Sequence, residues 1–383
     1  MVVTQALTTL GGAVGEGLDP GRNENTSVSV EWPAALSSPH PTNAVNDRVK
    51  ALLALCGVGD EALTNVAGLV AARQKSTGNN LSADELTFVL RAQGDPHVWP
   101  KAWSLSGDGL EDQEIVDRFK TWIAGFHTLG TRRCGASRTD DGATVVTFDA
   151  LADLSPVPTQ ARAGQWITLE GTMLVPASGV QVVVLGPHAA PRTVPSSLSG
   201  NHIRATFSVD QQGEWLVQVL ATISTGPRPV LESTIFVGQK PPSTFVRAKV
   251  PGEEAAVGAK DSADAMLRMM NAARASEGLG KLTRTKELDK LALEHSEEMM
   301  KTRIVGHDVG SGDPRARLDA AGLTPKIAGE NVASAGSLEN AHRVLWASPS
   351  HRGNLLHPRF GHAGVAVTKA PDGSFWVTEL FTD

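Results

Sequence analysis

The sequence predicts a multidomain α+β protein, and three observations support this prediction. A chain of 383 residues is too long for one ordinary hydrophobic core. Helical apolar spacing fills residues 43–126 and returns at residue 262, whereas residues 155–240 hold short alternating runs divided by turn residues. We therefore expect a flexible leader (1–42), an N-terminal α+β domain (43–152), a central β-sandwich (155–240), a linker (241–261) and a C-terminal domain (262–383).

Composition excludes two classes of protein. The net charge is −6, and no Lys/Arg cluster is dense enough to follow phosphates, so we do not expect a nucleic-acid binder. No run approaches the ~18 apolar residues that a transmembrane helix needs. The N-terminus lacks a basic region and a sustained apolar core, so a signal peptide was removed or the protein stays inside the cell. The polar leader favours an extracellular or cell-envelope protein.

The N-terminal domain is predicted to contain helices first and a hairpin last. Ser82 and Glu85 form a capping box before one helix. Two strand-like runs, 131–137 and 144–148, are separated by Asp140-Asp141-Gly142, a hairpin turn signal. The chain's two cysteines, Cys56 and Cys134, pair as a disulfide if the protein is exported or are two buried thiols if it is not.

The central segment is predicted to be an antiparallel β-sandwich of immunoglobulin-like type. The prediction depends on the spacing of its short runs, because no cysteine pair lies in this segment. The runs are 165–170, 180–185, 202–209, 214–221 and 231–237. No catalytic constellation appears among them, so we expect a role in spacing or adhesion.

The C-terminal segment carries a series of short motifs in order. They are Asn271 and Arg274, Leu282 and Leu288, Gly306-His307, Arg317-Leu318, Ala321-Gly322, Gly329-Glu330-Asn331, Trp346-x-Ser348-Pro349-x-His351-Arg352-x-Asn354-Leu355-Leu356, Phe360-x3-Gly364-Val365 and Trp376-x2-Glu379-x-Phe381. Each motif alone is weak, but the ordered set resembles the CAP superfamily of cysteine-rich secretory proteins, antigen 5 and pathogenesis-related 1. It is most similar to the cysteine-free bacterial branch.

The resemblance implies a three-layer α-β-α sandwich with a solvent-facing groove. In the animal branch the groove holds two histidines and two glutamates that can bind a divalent cation. His307 and Glu330 carry over directly, and His351 is the bacterial-type histidine. Phe360 stands near the place of the second animal histidine, and Glu379 on the last strand is a candidate fourth groove residue. Two imidazoles with carboxylates suit Zn²⁺ or a similar cation.

Purely structural roles are the alternatives for these residues. His351 could hold the Ser348-Pro349 turn to its neighbours, Glu330 could accept backbone hydrogen bonds, and His307 could be solvated. Ser348 precedes His351 by three residues, but no orienting acid or oxyanion donor accompanies the pair.

The leading hypothesis is an exported, non-enzymatic binding module. Its groove would take a divalent cation or a small or apolar ligand, since the superfamily implied by the motifs includes lipid binders. One alternative is a metal-assisted hydrolase of a peptide or envelope polymer, with Glu330 as general base. Another is an adhesin-like protein that binds an envelope or protein partner and has a vestigial groove.

The N-terminal domain is also hypothesised to be a diverged copy of the C-terminal fold. Gly130-x3-Cys134-Gly135 followed by Asp141-Gly142 echoes Phe360-x3-Gly364-Val365 followed by Asp372-Gly373. The N-terminal domain has no equivalent of Glu330-Asn331 or of His351-Arg352. A copy would therefore have lost the groove residues.

Overall fold

The computed structural model describes residues 2–4, 28–42, 47–107, 109–188, 190–247 and 249–383. Within them the α-helices are α1 (Lys50–Cys56), α2 (Glu61–Thr77), α3 (Ala83–Ala92), α4 (Asp112–Ile123), α5 (Ser262–Ser276), α6 (Lys286–Thr302), α7 (Pro314–Ala320), α8 (Leu338–Ala347) and α9 (Pro349–Leu355). Short 3-10 helices span Asp47–Val49 and Glu253–Ala256.

The strands form several sheets along the chain. They are β1 (Val2–Thr4), β2 (Ala35–Leu36), β3 (Val58–Gly59), β4 (Lys101–Ser106), β5 (Thr131–Thr139), β6 (Gly142–Ala150), β7 (Ala152–Leu154), β8 (Val157–Pro158), β9 (Gln160–Ala161), β10 (Gln165–Met173), β11 (Gly179–Leu185), β12 (Arg192–Val194), β13 (Ser196–Ser199), β14 (His202–Val209), β15 (Gly213–Ile223), β16 (Gly226–Val237), β17 (Thr283–Arg284), β18 (Ala328–Ala335), β19 (His362–Lys369) and β20 (Phe375–Thr382). The fold is therefore mixed α+β, as the sequence predicts.

The N-terminal domain has a four-stranded sheet with helices on both faces. The strand order is β3-β5-β6-β4. Helices α2 and α3 pack with Val146 and Phe148 on one face, and α1 and α4 pack with Val145 on the other. The predicted capping box is confirmed, because Ser82 and Glu85 exchange side-chain and backbone hydrogen bonds. The hairpin of β5 and β6 turns at Asp140-Asp141, as expected.

The two cysteines are joined. A disulfide between Cys56 and Cys134 connects the end of α1 to β5 and lies in the core that α1 and α4 share with the sheet. The cross-link closes a segment of 78 residues. It therefore constrains most of the N-terminal domain.

The central segment consists of two sheets that share one hydrophobic core. One sheet has the order β13-β14-β10-β7 and the other the order β12-β11-β15-β16-β9. Alternate residues of β14, such as Ile203, Ala205 and Phe207, are buried in this core, as expected for strands with one buried face.

Residues 28–42 differ from the flexible leader predicted over 1–42, most of whose remainder lies outside the described residues. Leu36 is fully buried in the core of the two sheets, and β2 pairs with β8. Trp32 packs edge-on against Phe88 and Phe236. The prediction of a flexible leader is wrong for residues 28–42. It was based on the polar composition of the segment, whereas a few buried apolar side chains fix the segment against the domains.

The C-terminal domain is a three-layer unit. Its sheet has the order β1-β18-β20-β19-β17. Val377 and Phe381 of β20 pack with α5, α8 and α9 on one face, whereas Trp376 and Leu380 pack with α6 and α7 on the other. Alternate residues of β20 therefore belong to two separate cores. The same alternation places neighbouring candidate site residues on opposite faces of the sheet.

The N- and C-terminal sheets share a topology. In their order across the sheet, the four strands β3-β5-β6-β4 correspond to four of the five C-terminal strands, β17-β19-β20-β18. In each set of four the first pair is parallel and the other two pairs are antiparallel. The fifth C-terminal strand, β1, has no counterpart in the N-terminal sheet. A 17-residue helix follows the first strand in both domains. This is the arrangement that the duplication hypothesis requires.

Two glycines occupy the same place in these two sheets. A Cβ added to Gly135 would lie 2.0 Å from the backbone of Leu63 in α2, and one added to Gly364 would lie 2.2 Å from the carbonyl oxygen of Leu288 in α6. The helix rests directly on the strand at both points, so a side chain cannot fit.

We expect Gly135→Ala and Gly364→Ala each to lower the free energy of unfolding by about 1–3 kcal/mol, because backbone must move to admit the methyl group. Gly280→Ala is the control, since a Cβ there meets nothing within 4 Å. Urea unfolding of the three variants measures the difference. Equal stability of all three would show that the helices do not press on the sheets.

Candidate functional site

Glu330 is the centre of a buried polar network on the face of the sheet that carries α6 and α7. Its Oε1 lies 2.8 Å from His307 Nδ1. The Arg317 guanidinium donates to both carboxylate oxygens, at 2.9 and 2.7 Å. His295 from α6 lies nearby, with Nε2 3.7 Å from the same Oε1. Three separate segments thus converge on one carboxylate.

The network keeps Glu330 ionised. Burial alone would raise the pKa of this carboxyl, but the hydrogen bond from His307 and the charge of Arg317 outweigh burial and lower the pKa to about 2. A carboxylate with so low a pKa is a weak base at neutral pH. The arrangement stabilises a charge more readily than it moves a proton.

The central sheets cover this network. His307 is only 2% exposed. Its backbone N–H and that of Asp308 donate to the carbonyl oxygen of Thr225, in the turn between β15 and β16, at 3.0 and 3.3 Å. A Cβ at Gly226 would lie 3.0 Å from His307 Cβ. The groove that the resemblance places in solvent is closed at His307 by this turn.

His351 and Glu379 lie on the other face of the sheet. Asn331 and Glu379 face each other in the β18–β20 pairing, and the Asn331 amide donates to Glu379 Oε2 at 2.9 Å and to the His351 carbonyl at 3.1 Å. Since consecutive residues of a strand point to opposite faces, Asn331 and Glu330 are separated by the sheet. Burial raises the pKa of Glu379 to about 7, although the Asn331 hydrogen bond opposes the shift.

The predicted metal ligands are therefore brought together only in part. His307 contacts Glu330, whereas His351 and Glu379 share the Asn331 network on the opposite face. Arg317 places a fixed positive charge on both Glu330 oxygens, where a cation would bind. These residues do not fit a preformed cation site, and metal binding by His307, Glu330 and His351 stays a prediction.

Arg317 is the functional partner that the sequence reasoning missed. It belongs to one of the family-like motifs, but nothing in its local sequence indicates that it reaches Glu330 thirteen residues away. Its side chain is also fixed by the carbonyl oxygens of Gly312 and His307. The signal in the sequence was an arginine in a short helix that lies between the candidate site residues His307 and Glu330.

A large cavity lies where α8 and α9 meet the other two domains. Its volume is about 570 Å³. Aromatic side chains from all three parts of the chain line it: Trp32, Phe88, Trp99, Phe236, Phe245 and Trp346. The motif residues Ser348, Pro349 and Arg352 form part of its wall. The first part of the C-terminal motif thus faces this cavity, whereas its Asn354 donates to the carbonyl oxygen of Glu330 at 3.1 Å.

Several polar side chains at the cavity wall are held in place by hydrogen bonds and ring contacts. The Gln218 amide, from β15, donates to Ser348 Oγ at 2.9 Å and to Glu232 at 2.6 Å. The Arg352 guanidinium lies 4.4 Å above the Trp346 ring and donates to the Trp346 carbonyl. Sequence reasoning missed Gln218, because its partner Ser348 lies 130 residues away in the chain.

Comparisons with known proteins agree with the C-terminal architecture. A model of the cysteine-rich secretory protein (CAP) family matches residues 267–381. The uncharacterised protein YkwD of Bacillus subtilis (strain 168) is 30% identical over 117 residues, which are 30% of this chain and 45% of YkwD. This chain therefore matches less than half the length of that relative.

Solved structures of low identity also align. An outer surface protein of Borrelia burgdorferi aligns at 21% identity over 32% of this chain and 93% of its own, with a TM-score of 0.31. An extracellular protein containing an SCP domain from Bacillus anthracis str. Ames aligns at 16% identity over 61% of this chain and 86% of its own, with a TM-score of 0.30.

No helix among the described residues is both long and apolar enough to cross a membrane. The motif order, the three-layer C-terminal unit and the match of the family model all concern the same segment. Residues 267–381 of this chain belong to the CAP family, in its bacterial form.

Proposed function

We propose that this protein is a non-enzymatic binding module for a small apolar ligand with an acidic group. The observation that carries the proposal is the aromatic cavity of about 570 Å³ between the CAP domain and the other two domains. Its size lies within the range of about 300–1,000 Å³ that is usual for small-molecule sites, and its aromatic side chains supply apolar walls of the kind that such sites have.

Charge favours an acidic group on the ligand. Five cationic residues line the cavity, namely Arg91, Arg247, Lys249, Arg343 and Arg352, against the three acids Asp84, Glu214 and Glu232. Glu232 is paired with Arg91 at 3.1 Å. Burial raises the pKa of Asp84 and of Glu214, which favours the neutral, protonated form of both side chains. Arg343 and Lys249 pair with Glu253 and Glu254 outside the cavity. Arg247 and Arg352 are therefore the cations of the wall that a ligand carboxylate would meet.

The chemistry of Glu330 supports binding over metal-assisted hydrolysis. A general base works best with a pKa near the working pH. The pKa of Glu330 is about 2, and Arg317 and His307 hold its carboxylate. A cation in the groove stays a prediction for which this geometry gives no support.

Export is part of the same proposal. The Cys56–Cys134 disulfide supports it, because disulfides form and persist mainly in oxidising compartments. An extracellular or envelope location also suits a protein that collects an apolar ligand.

Titration of the full chain with a long-chain fatty acid, followed by tryptophan fluorescence, tests the proposal. We expect a dissociation constant in the micromolar range or below. Trp346→Ala removes part of the wall and Thr87→Trp fills the cavity from α3, so each should weaken binding at least tenfold. Trp166→Ala is the matched control, because Trp166 is 69% exposed and lies outside the cavity.

Two results would contradict the proposal. One is no saturable binding by the wild-type protein, and the other is unchanged binding by Thr87→Trp. The corresponding fatty alcohol has the same apolar chain but no carboxylate. Weaker binding of the alcohol would support a role for the acidic group, whereas equal binding would show that the acidic group does not contribute. Partner binding retained by residues 1–245 with no ligand in the cavity would favour the adhesin hypothesis.

A further inference from the structure

We propose that the N-terminal domain binds a divalent transition-metal ion of the Zn²⁺ type through His40, Asp60 and Asp95. This site is separate from the ligand cavity and from the Glu330 network. One ligand atom from each of the three side chains lies within 4.8 Å of the other two. Among the described residues, these are the three His, Cys, Asp or Glu side chains whose ligand atoms lie close enough together to hold one metal ion.

The distances suit a single ion. His40 Nδ1 lies 3.4 Å from Asp95 Oδ2 and 3.9 Å from Asp60 Oδ2. Two ligand atoms about 2.1 Å from a tetrahedral Zn²⁺ are about 3.4 Å apart. Small side-chain rotations would therefore bring all three atoms to bonding distance. An imidazole with two carboxylates suits a transition metal better than Mg²⁺ or Ca²⁺, which prefer oxygen alone.

Two atoms of this site, His40 Nδ1 and Asp95 Oδ2, lie 3.4 Å apart without a hydrogen bond. Asp95 has no exposed side-chain surface, yet its Oδ2 makes no hydrogen bond to any described residue, and neither does His40 Nδ1. A buried polar atom without a partner costs about 1–3 kcal/mol, so such atoms call for an explanation. A cation bound between His40, Asp60 and Asp95 would give these atoms a partner.

The surroundings hold the ligands in place. Asp95 Oδ1 accepts from the backbone N–H of His97 at 2.8 Å and lies 2.9 Å from His97 Nδ1. His97 Nε2 is 2.9 Å from the carbonyl oxygen of Ala152. Asp60 is the N-cap of α2, and its Oδ1 accepts from Leu63 N–H at 3.2 Å. In each carboxylate the other oxygen, Oδ2, is the one that faces His40.

Two features of the surroundings bear on access and charge. His40 is 22% exposed, so an ion can reach the site from solvent past this ring. Two fixed cations lie nearby: Arg133, which pairs with Asp153 at 2.7 Å, and Arg91, which donates to the Asp95 carbonyl oxygen and pairs with Glu232 at 3.1 Å. The net charge at the site therefore still favours a cation.

The site has no counterpart in the CAP domain. In the shared topology, β3 and α2 correspond to β17 and α6, so the N-cap Asp60 corresponds to the N-cap Thr285. Gly135 is opposite Val146 and Gly364 opposite Leu380, which makes Ala102 the equivalent of Glu330. The N-terminal domain thus lacks the Glu330 position and carries a different cluster of its own.

Isothermal titration of the metal-stripped full chain with ZnCl₂ and with MnCl₂ tests the proposal. We expect one equivalent of Zn²⁺ to bind in the micromolar range or tighter. His40→Ala and Asp95→Asn should each weaken this binding at least tenfold, whereas His202→Ala, at an exposed histidine of β14, should not change it. His307→Ala should also leave this equivalent in place, which separates it from any ion in the groove.

Thermal unfolding provides a second readout that does not depend on heats of binding. Zn²⁺ should raise the Tm of the wild-type protein and of His202→Ala, but not that of His40→Ala, since an ion that binds only the folded state stabilises it by mass action. Circular dichroism without metal shows whether His40→Ala is folded. No Zn²⁺ binding by the wild type, or wild-type binding by folded His40→Ala, would overturn the proposal.

Discussion

Replacing Arg317 with alanine is expected to lower the free energy of unfolding by about 3–5 kcal/mol. The substitution removes the cation that contacts both oxygens of a carboxylate only 3% exposed, and a buried charge that loses its ion-pair partner is strongly destabilising. It also frees the carbonyl oxygens of Gly312 and His307. Urea unfolding of the full chain, followed by tryptophan fluorescence, measures the loss.

Arg315→Ala is the matched control for this prediction. Arg315 lies on the same helix and pairs with Asp319 at 3.1 Å, but both side chains are about half exposed. Exposed pairs of this kind contribute about 0–1 kcal/mol. A loss for Arg317→Ala no larger than that for Arg315→Ala would contradict the view that Glu330 is held as a buried ion. Adding Glu330→Gln to Arg317→Ala should recover part of the stability.

The second large effect concerns Glu379 and pH. Its pKa is raised from 4.5 to about 7, so between these pH values the folded state keeps a proton that the unfolded state has lost. Stability therefore falls as the pH rises through this window, by about 3 kcal/mol at about 1.4 kcal/mol per pKa unit. Glu379→Gln should be more stable than the wild type by about this amount at pH 8 and equal to it near pH 4.

Glu330→Gln is the comparison, because at pH 8 we expect it to lower the stability that Glu379→Gln raises. The lowered pKa of Glu330 contributes stability above about pH 4.5 that is lost as the pH falls toward 2. At pH 8 this variant should therefore be less stable than the wild type. Urea unfolding at pH 5 and pH 8 distinguishes the two carboxyls. Equal behaviour of both glutamine variants would show that their environments do not differ as described.

The sequence predicted most of what local patterns control. The capping box at Ser82 and the hairpin turn at Asp140-Asp141 depend on neighbouring residues, and the structure has both. The CAP assignment depends on many short motifs in order, and the family model matches the same segment. The immunoglobulin-like identity of the central sheets stays a prediction, since their two-sheet core alone does not fix it.

Long-range contacts account for what the sequence did not predict. Arg317 reaches Glu330 only through the packing of α7 on β18, and Thr225 covers His307 from another domain. The alternation of Glu330 and Asn331 across the sheet separates residues that look like one cluster in the motif list. His40, Asp60 and Asp95 were overlooked because 55 residues separate the first from the last, and only the fold brings them together.

The shared strand order leads us to infer that the N-terminal domain arose as a copy of the CAP fold. The two closely packed glycines, Gly135 and Gly364, lie at equivalent points of the two sheets. On this view one copy retained the Glu330 network, and the other acquired the His40 cluster and a disulfide. The aromatic cavity lies between these two domains and the central sheets.

The most direct test of the central claim, that this protein binds a ligand in the cavity between its domains, is to locate the ligand. A photoreactive fatty acid is bound to the full chain, cross-linked by light and mapped by mass spectrometry of the resulting peptides. We predict adducts on the peptides that contain Phe88, Phe245 and Trp346, and their loss in Thr87→Trp. Adducts concentrated at His307 and Glu330, or spread evenly over the surface, would contradict the account.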